Sequence, residues 1–169
     1  MGLQLIFVVE TDKKCKSDQI YIKDTIDQFY QYVSAHTKFS FVYMDGKGNY
    51  DRKKVRNEIK DWSAPYRGQS VVIYCFDCDD YDSKQEDLAF FNIVKRYCAD
   101  HGYEFVWFCK DVESVYLGRK VSKSQKKAES AAFRGKHQIE NVSANILLET
   151  SKSNTSNLMV ILDRHLVRK

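Results

Sequence analysis

Ser70-Val-Val-Ile-Tyr-Cys-Phe76 is a short apolar run rich in β-formers, and it leads without a break into Asp77-Cys-Asp-Asp-Tyr-Asp82. Its apolar character is nearly continuous rather than alternating, the pattern of a strand buried on both faces. Three other stretches read the same way: Leu3-Gln-Leu-Ile-Phe-Val-Val9, Lys38-Phe-Ser-Phe-Val-Tyr-Met44 and Tyr103-Glu-Phe-Val-Trp-Phe-Cys109. Strands of this kind suit a parallel sheet better than an antiparallel one.

Helical patterns fill the gaps between them. Residues 18–35 repeat apolar positions from Ile20 to Val33 behind an acidic start at Asp18. Residues 52–62 place Val55, Ile59 and Trp62 at helical spacing, and residues 85–101 do so from Leu88 to Cys98, with Gly102 as a stop signal. The alternation implies βαβ units with right-handed crossovers, hence an α/β fold with a four-stranded parallel sheet flanked by helices. After Cys109 the alternation fails. A short helix is expected over 111–117, a basic polar helix over 122–134 and a helix over 140–149, with residues 155–167 forming a helix or a strand pair. The chain length fits one domain, with a core over 1–117 and a basic, mainly helical extension over 118–169.

Composition narrows the function. No apolar run approaches the roughly 20 residues that span a bilayer, and the amino terminus lacks the features of a secretory signal; a cytoplasmic location with no membrane partner is the default expectation. Ile6 stands where a myristoylation motif needs Ser or Thr. Five cysteines form an odd set without disulfide-like spacing, and the Cys75–Cys78 pair lacks the second pair of a zinc site. Residues 118–136 carry Arg119, Lys120, Lys123, Lys126, Lys127, Arg134 and Lys136 against the single acid Glu129, so this segment is +6 while the rest of the chain sums to −2. Two readings stand for it: an arm that brings nucleic-acid phosphates to the protein, through Arg119, Lys120, Lys123, Lys126 and Lys127, or a solvated helix.

The chemistry-bearing residues sit at strand ends. The first strand runs into Glu10, the third into Asp77 and Asp79. Ligands of open α/β sheets bind outside the carboxyl ends of strands, where the strand order reverses. If these two strands are neighbours, Glu10 and the Asp77–Asp79 pair meet across that crevice. Clustered carboxylates need a compensating cation or proton, and an all-oxygen set suits Mg²⁺ or Mn²⁺. The alternative is an ordinary acidic loop, since Asp favours turns and caps. Trp62 and Tyr66 are the surface aromatics best placed to stack bases, whereas Trp107 and Phe108 belong to a central strand. Asp45-Gly-Lys-Gly-Asn-Tyr50 lacks the spacing of a phosphate-binding loop and reads as a turn.

A strand ending in Glu, followed by a strand ending in D-x-D, resembles the Toprim domain of primases, topoisomerases and OLD-family nucleases. More narrowly, the layout is similar to the RloB-like family, Toprim-like bacterial proteins found beside restriction or defence genes. Asp18-Gln-Ile-Tyr21 resembles that family's acidic–x–x–Tyr helix start, Cys75-Phe-Asp-Cys-Asp-Asp80 its strand end, and Val112-Glu-Ser-Val-Tyr-Leu117 its following helix. The resemblance covers about residues 3–117. It departs at Thr11, where a Toprim Glu is usually followed by Gly, in a longer loop from Glu10 to Asp18, and in the missing Asn-Pro and Leu-His-Phe neighbours of Glu113. The resemblance implies a Mg²⁺-dependent (or Mn²⁺-dependent) phosphoryl-transfer protein, a nuclease on DNA or RNA with a role in bacterial defence and a protein partner encoded nearby. It makes Glu10 the general base or metal-linked acid, Asp77 and Asp79 metal ligands with Glu10, and Glu113 a further acidic contributor. The alternative is a non-catalytic module of the same fold that binds a partner protein or nucleic acid.

Overall fold

The computed structural model describes residues 2–149 and 152–169. The four expected strands are β1 (Leu3–Val9), β3 (Thr37–Tyr43), β4 (Gln69–Asp77) and β5 (Glu104–Cys109), and all four run parallel. The sheet has five strands, not four. Thr155–Ser156 adds β6 antiparallel to β5, giving the order β3-β1-β4-β5-β6. This is a mostly parallel α/β sheet of Rossmann-like type, and its order reverses between β1 and β4.

Period-two geometry explains why the strands read as continuous apolar runs: alternate side chains feed two different cores. Leu5, Phe7, Val9, Ile73, Cys75, Val106 and Phe108 project to one face. There they meet Tyr21, Ile22 and Ile26 of α1 (Ser17–Phe29) and Val112, Val115 and Tyr116 of α4 (Val112–Leu117). Phe133 of α5 (Lys126–Gly135) and four residues of α6 (Leu158–Leu162) complete that side. Ile6, Val8, Val42, Val72, Tyr74 and Phe76 project to the other face, against Val55 and Ile59 of α2 (Lys53–Ser63) and Val94 and Cys98 of α3 (Gln85–His101). Helix α3 ends where expected, with Gly102 left-handed at φ 67°. The polar Gln4 is fully buried in β1 because both of its ends are satisfied, by Ser40 and Ser70 at 3.0 Å each.

The later elements differ from the sequence expectation. Helix α1 stops at Phe29 instead of continuing to 35. Tyr30–Gln31 turns into β2, which pairs antiparallel with β7 (Val167–Arg168). Tyr30 is buried, and its hydroxyl donates to Asp163 Oδ1 at 2.7 Å, so a long-range anchor outweighs the helical pattern and leaves Val33 exposed. Residues 140–149 form no α-helix: two 3₁₀ turns, Gln138–Asn141 and Ala144–Leu147, flank an extended Val142. The basic helix begins only at Lys126, and the stretch 155–167 divides among β6, α6 and the start of β7.

Candidate functional site

The switch point of the sheet places the two strand-terminal acids side by side. Glu10 follows β1 and reaches across the crevice to accept the backbone N–H of Asp77 at 2.8 Å. Asp77, the last residue of β4, turns its Oδ1 toward the start of α4 and accepts the N–H of Val112 at 3.0 Å. One residue, Asp77, therefore ties the tips of two strands and a helix together, its backbone N–H bonding Glu10 and its carboxylate bonding Val112. Asp79 does not stay with them. It adopts a left-handed conformation at φ 49° and turns its carboxylate to the Lys47 ammonium. Beyond it Asp80 is a surface ion-pair residue, held down to about 2 by hydrogen bonds from Lys84 and Lys110.

Two further acids converge on the Glu10–Asp77 pair. Asp18, in the first turn of α1, is buried and accepts the N–H of Thr11 at 3.3 Å. Glu113, in the first turn of α4, is fully buried, and neither of its carboxylate oxygens receives an aligned hydrogen bond. Its neighbour is Lys126, the first residue of α5, whose Nζ lies 3.1 Å from Glu113 Oε2 as an ion pair. Between Thr11 and α1, the long loop folds on itself: Asp12 Oδ1 accepts the N–H groups of Lys14 and Cys15 at 2.8 Å each, closing a turn at the cleft mouth.

Electrostatics follow from this crowding. Burial, then Asp18 and Asp79, push Glu10 from the ordinary 4.5 to about 8, against the Asp77 amide and Lys47. Asp77 is driven up by burial and by Glu10 and Asp18, with Lys126 opposing. Burial likewise raises Asp18 and Glu113, and Lys126 opposes both. Burial opposes the charge on Lys126, but Asp77, Glu113 and Asp18 outweigh it and hold its proton more firmly than usual. The cluster is short of positive charge.

Glu10, Asp18 and Asp77 line an open cleft of about 580 Å³, and the fully buried Glu113 lies outside that lining. The walls of the cleft include Thr11, Asp45 and Gly46, and Lys14, Lys123 and Lys127 stand with Lys126 along it. The basic segment thus divides. Lys126 enters the acidic cluster, and Lys123 and Lys127 are exposed along the cleft. Arg119 is engaged by Glu129 at 2.7 Å, and neither it nor the exposed Lys120 lines the cleft. Tyr66 packs against Gly2 at the opposite, amino edge of the sheet, and Trp62 takes the Lys38 ammonium 4.6 Å over its ring; neither aromatic lines the cleft. Trp107 and Phe108 are buried.

The structure therefore brings together Glu10, Asp77 and Glu113 of the sequence-derived site, and directs Asp79 to Lys47. Sequence reasoning missed Asp18, Lys47 and Lys126 as neighbours of the acids. Asp18 carried a signal, its place in the acidic–x–x–Tyr start, but was read as a helix-dipole carboxylate; Lys47 lay in a glycine-rich turn set aside for its spacing. Nothing in the sequence pointed Lys126 inward. Among the described residues no three Asp, Glu, His or Cys side chains converge closely enough to form a ready metal-binding group. The donor chemistry of the cleft nevertheless suits a hard cation, because Glu10 and Asp77 line it and offer only oxygen, while Glu113 is ion-paired to Lys126. No helix among the described residues is long and apolar enough to cross a membrane. In comparison with known proteins, no family model, no curated protein and no solved structure matches this chain.

Proposed function

We propose that this chain is a Mg²⁺-dependent phosphoryl-transfer protein with a Toprim-like layout, a nuclease acting on DNA or RNA. The observation that carries the reading is that Glu10 reaches Asp77 at the switch point, its Oε1 accepting the Asp77 backbone N–H at 2.8 Å, on the floor of a cleft walled by lysines. Glu10 and Asp77 would hold the ion, with Asp79 joining once it leaves Lys47. When bound, Mg²⁺ or Mn²⁺ neutralises phosphate charge and activates water. Glu10 would serve either as a ligand of the ion or, held off it, as the general base. Lys14, Lys123 and Lys127 are placed to receive phosphates, each neutralised phosphate adding salt-sensitive affinity.

Titration with Mn²⁺ by calorimetry, paired with cleavage of single-stranded and duplex oligonucleotides, tests this. The double variant Asp77→Asn/Asp79→Asn is expected to lose the binding heat and any cleavage. Metal-dependent cleavage that survives in it rules the mechanism out.

A second reading, a non-catalytic module that binds nucleic acid or a protein, is favoured by the pairing of Asp79 with Lys47. It requires oligonucleotide or protein binding with no carboxylate-dependent Mn²⁺ heat, which the same titration separates.

A further inference from the structure

We infer that a single nucleic-acid strand leaves the cleft toward α2, with its phosphates on Lys14, Lys53 and Lys54. This rests on the nucleic-acid reading above, independently of the metal, and adds the path that the strand takes. The cleft continues past its mouth. Asp12, Lys14 and Asp45 line both the cleft and a neighbouring hollow of about 290 Å³, which Lys13, Tyr43 and Lys54 complete. Lys13 and Lys54 belong in turn to a third hollow of about 630 Å³, shared with Lys53, Asn57, Glu58 and Asp61 along one face of α2. The three join into one groove that runs from Glu10 and Asp77 to the first turn of α2.

Charge along the groove favours a polyanion. Asp12 is occupied by the amides of Lys14 and Cys15. Glu58 is occupied by Lys13 at 3.6 Å, a pair that also holds the loop against α2. Asp45 and Asp61 are then the exposed acids of the groove, against the exposed Lys14, Lys53, Lys54, Lys123 and Lys127. Among the described residues none of these five lysines is ion-paired. The start of α2 points the same way. Arg52 stands at its N-cap without a side-chain cap bond, Lys53 and Lys54 follow, and the first turn holds no acid. Cations at that end oppose the helix dipole; a phosphate seated among them is drawn by the lysines and by the open amides together. The middle hollow is too small for a duplex, and it offers the half-buried ring of Tyr43 for a base to stack on. The strand therefore turns away from Arg119 and Lys120, which lie off the cleft.

Fluorescence anisotropy with a labelled single strand of about 12 nucleotides, in the presence of a chelator and over a series of salt concentrations, tests the path. Lys53→Ala/Lys54→Ala is expected to weaken binding about tenfold at low salt and to lower the slope of log K against log salt by about 1.4, the loss of two phosphate contacts. Both substitutions lie on the exposed helix surface and remove cations that oppose the dipole, so the fold is retained. Arg119→Ala/Lys120→Ala is expected to change the affinity by less than about twofold. Unchanged binding and slope in Lys53→Ala/Lys54→Ala, or an equal loss in Arg119→Ala/Lys120→Ala, overturns the inference while leaving the nucleic-acid reading intact. So does a duplex of the same sequence that binds as tightly. A wild type that binds no oligonucleotide, or from which an oligoglutamate of equal charge displaces the strand as well as an unlabelled copy does, overturns both.

Discussion

At the scale of single residues, the acid cluster makes stability depend on pH in an unusual direction. Glu10 holds its proton up to about 8 in the folded chain against an ordinary 4.5, and Asp77 and Asp18 shift the same way. The folded state therefore binds more protons than the unfolded one between those limits. The stabilisation is complete below the ordinary carboxylate range and is lost as pH rises through the folded value. In the presence of a chelator, the Tm is expected to fall between pH 5.5 and 8.5 by about 3 °C per pH unit for each proton released, and Glu10→Gln is expected to flatten the slope. A Tm that rises with pH across this interval contradicts the cluster's arrangement. Ordinary surface carboxylates do the reverse: the ion-paired Asp163, held below its usual value by Arg168, stabilises the fold above the acid range and ceases to do so as it protonates.

At the scale of elements, the exposed side of β5 would be an open edge if β6 were its only cover, because β6 pairs with only Phe108 and Cys109. Asn157 extends that cover with its side chain. Its Oδ1 accepts the N–H of Trp107 and its Nδ2 donates to the carbonyl of Phe105, both at 3.0 Å, so one amide imitates a strand partner. Ser156 Oγ adds a hydrogen bond to the Trp107 carbonyl at 2.6 Å. Asn157→Ala strips partners from two backbone groups and is expected to lower the unfolding free energy by about 2 kcal/mol. It should also raise self-association, since the edge regains free pairing sites. Denaturant titration with light scattering measures both; a loss below about 0.5 kcal/mol, the range of ordinary surface substitutions, would mean that β6 alone suffices.

At the scale of the whole molecule, the last stretch of chain belongs to the core of the fold. Leu158, Met159, Ile161 and Leu162 are all at most 4% exposed and pack in the same cluster as β1, β4 and β5. Each contributes about 2 kcal/mol of burial, and together they approach the entire stability of a typical domain, about 5–15 kcal/mol. Deletion of residues 153–169 is therefore expected to abolish cooperative thermal unfolding followed by circular dichroism. A truncated chain that still melts sharply near the full-length Tm would show that the sheet and its first helices suffice by themselves.

The amino acid sequence by itself determined the α/β alternation, the four parallel strands and the acids at two strand tips, whereas the adjacency of those two strands came from the sheet order. The first three are local facts: a strand buried on both faces must be apolar along its length, and the residue that ends such a strand must lie at the sheet's edge. Tertiary structure alone decided the path of the chain after Cys109, the end of α1 at Phe29, the turning of Asp79 to Lys47 and the descent of Lys126 among the acids. Each of these depends on partners far away in sequence, as Tyr30 does on Asp163 and Glu113 on Lys126. Helical periodicity records which face of a segment is apolar. It carries no record of which distant charge a polar side chain will meet, because that follows from the free energy of burying both groups together.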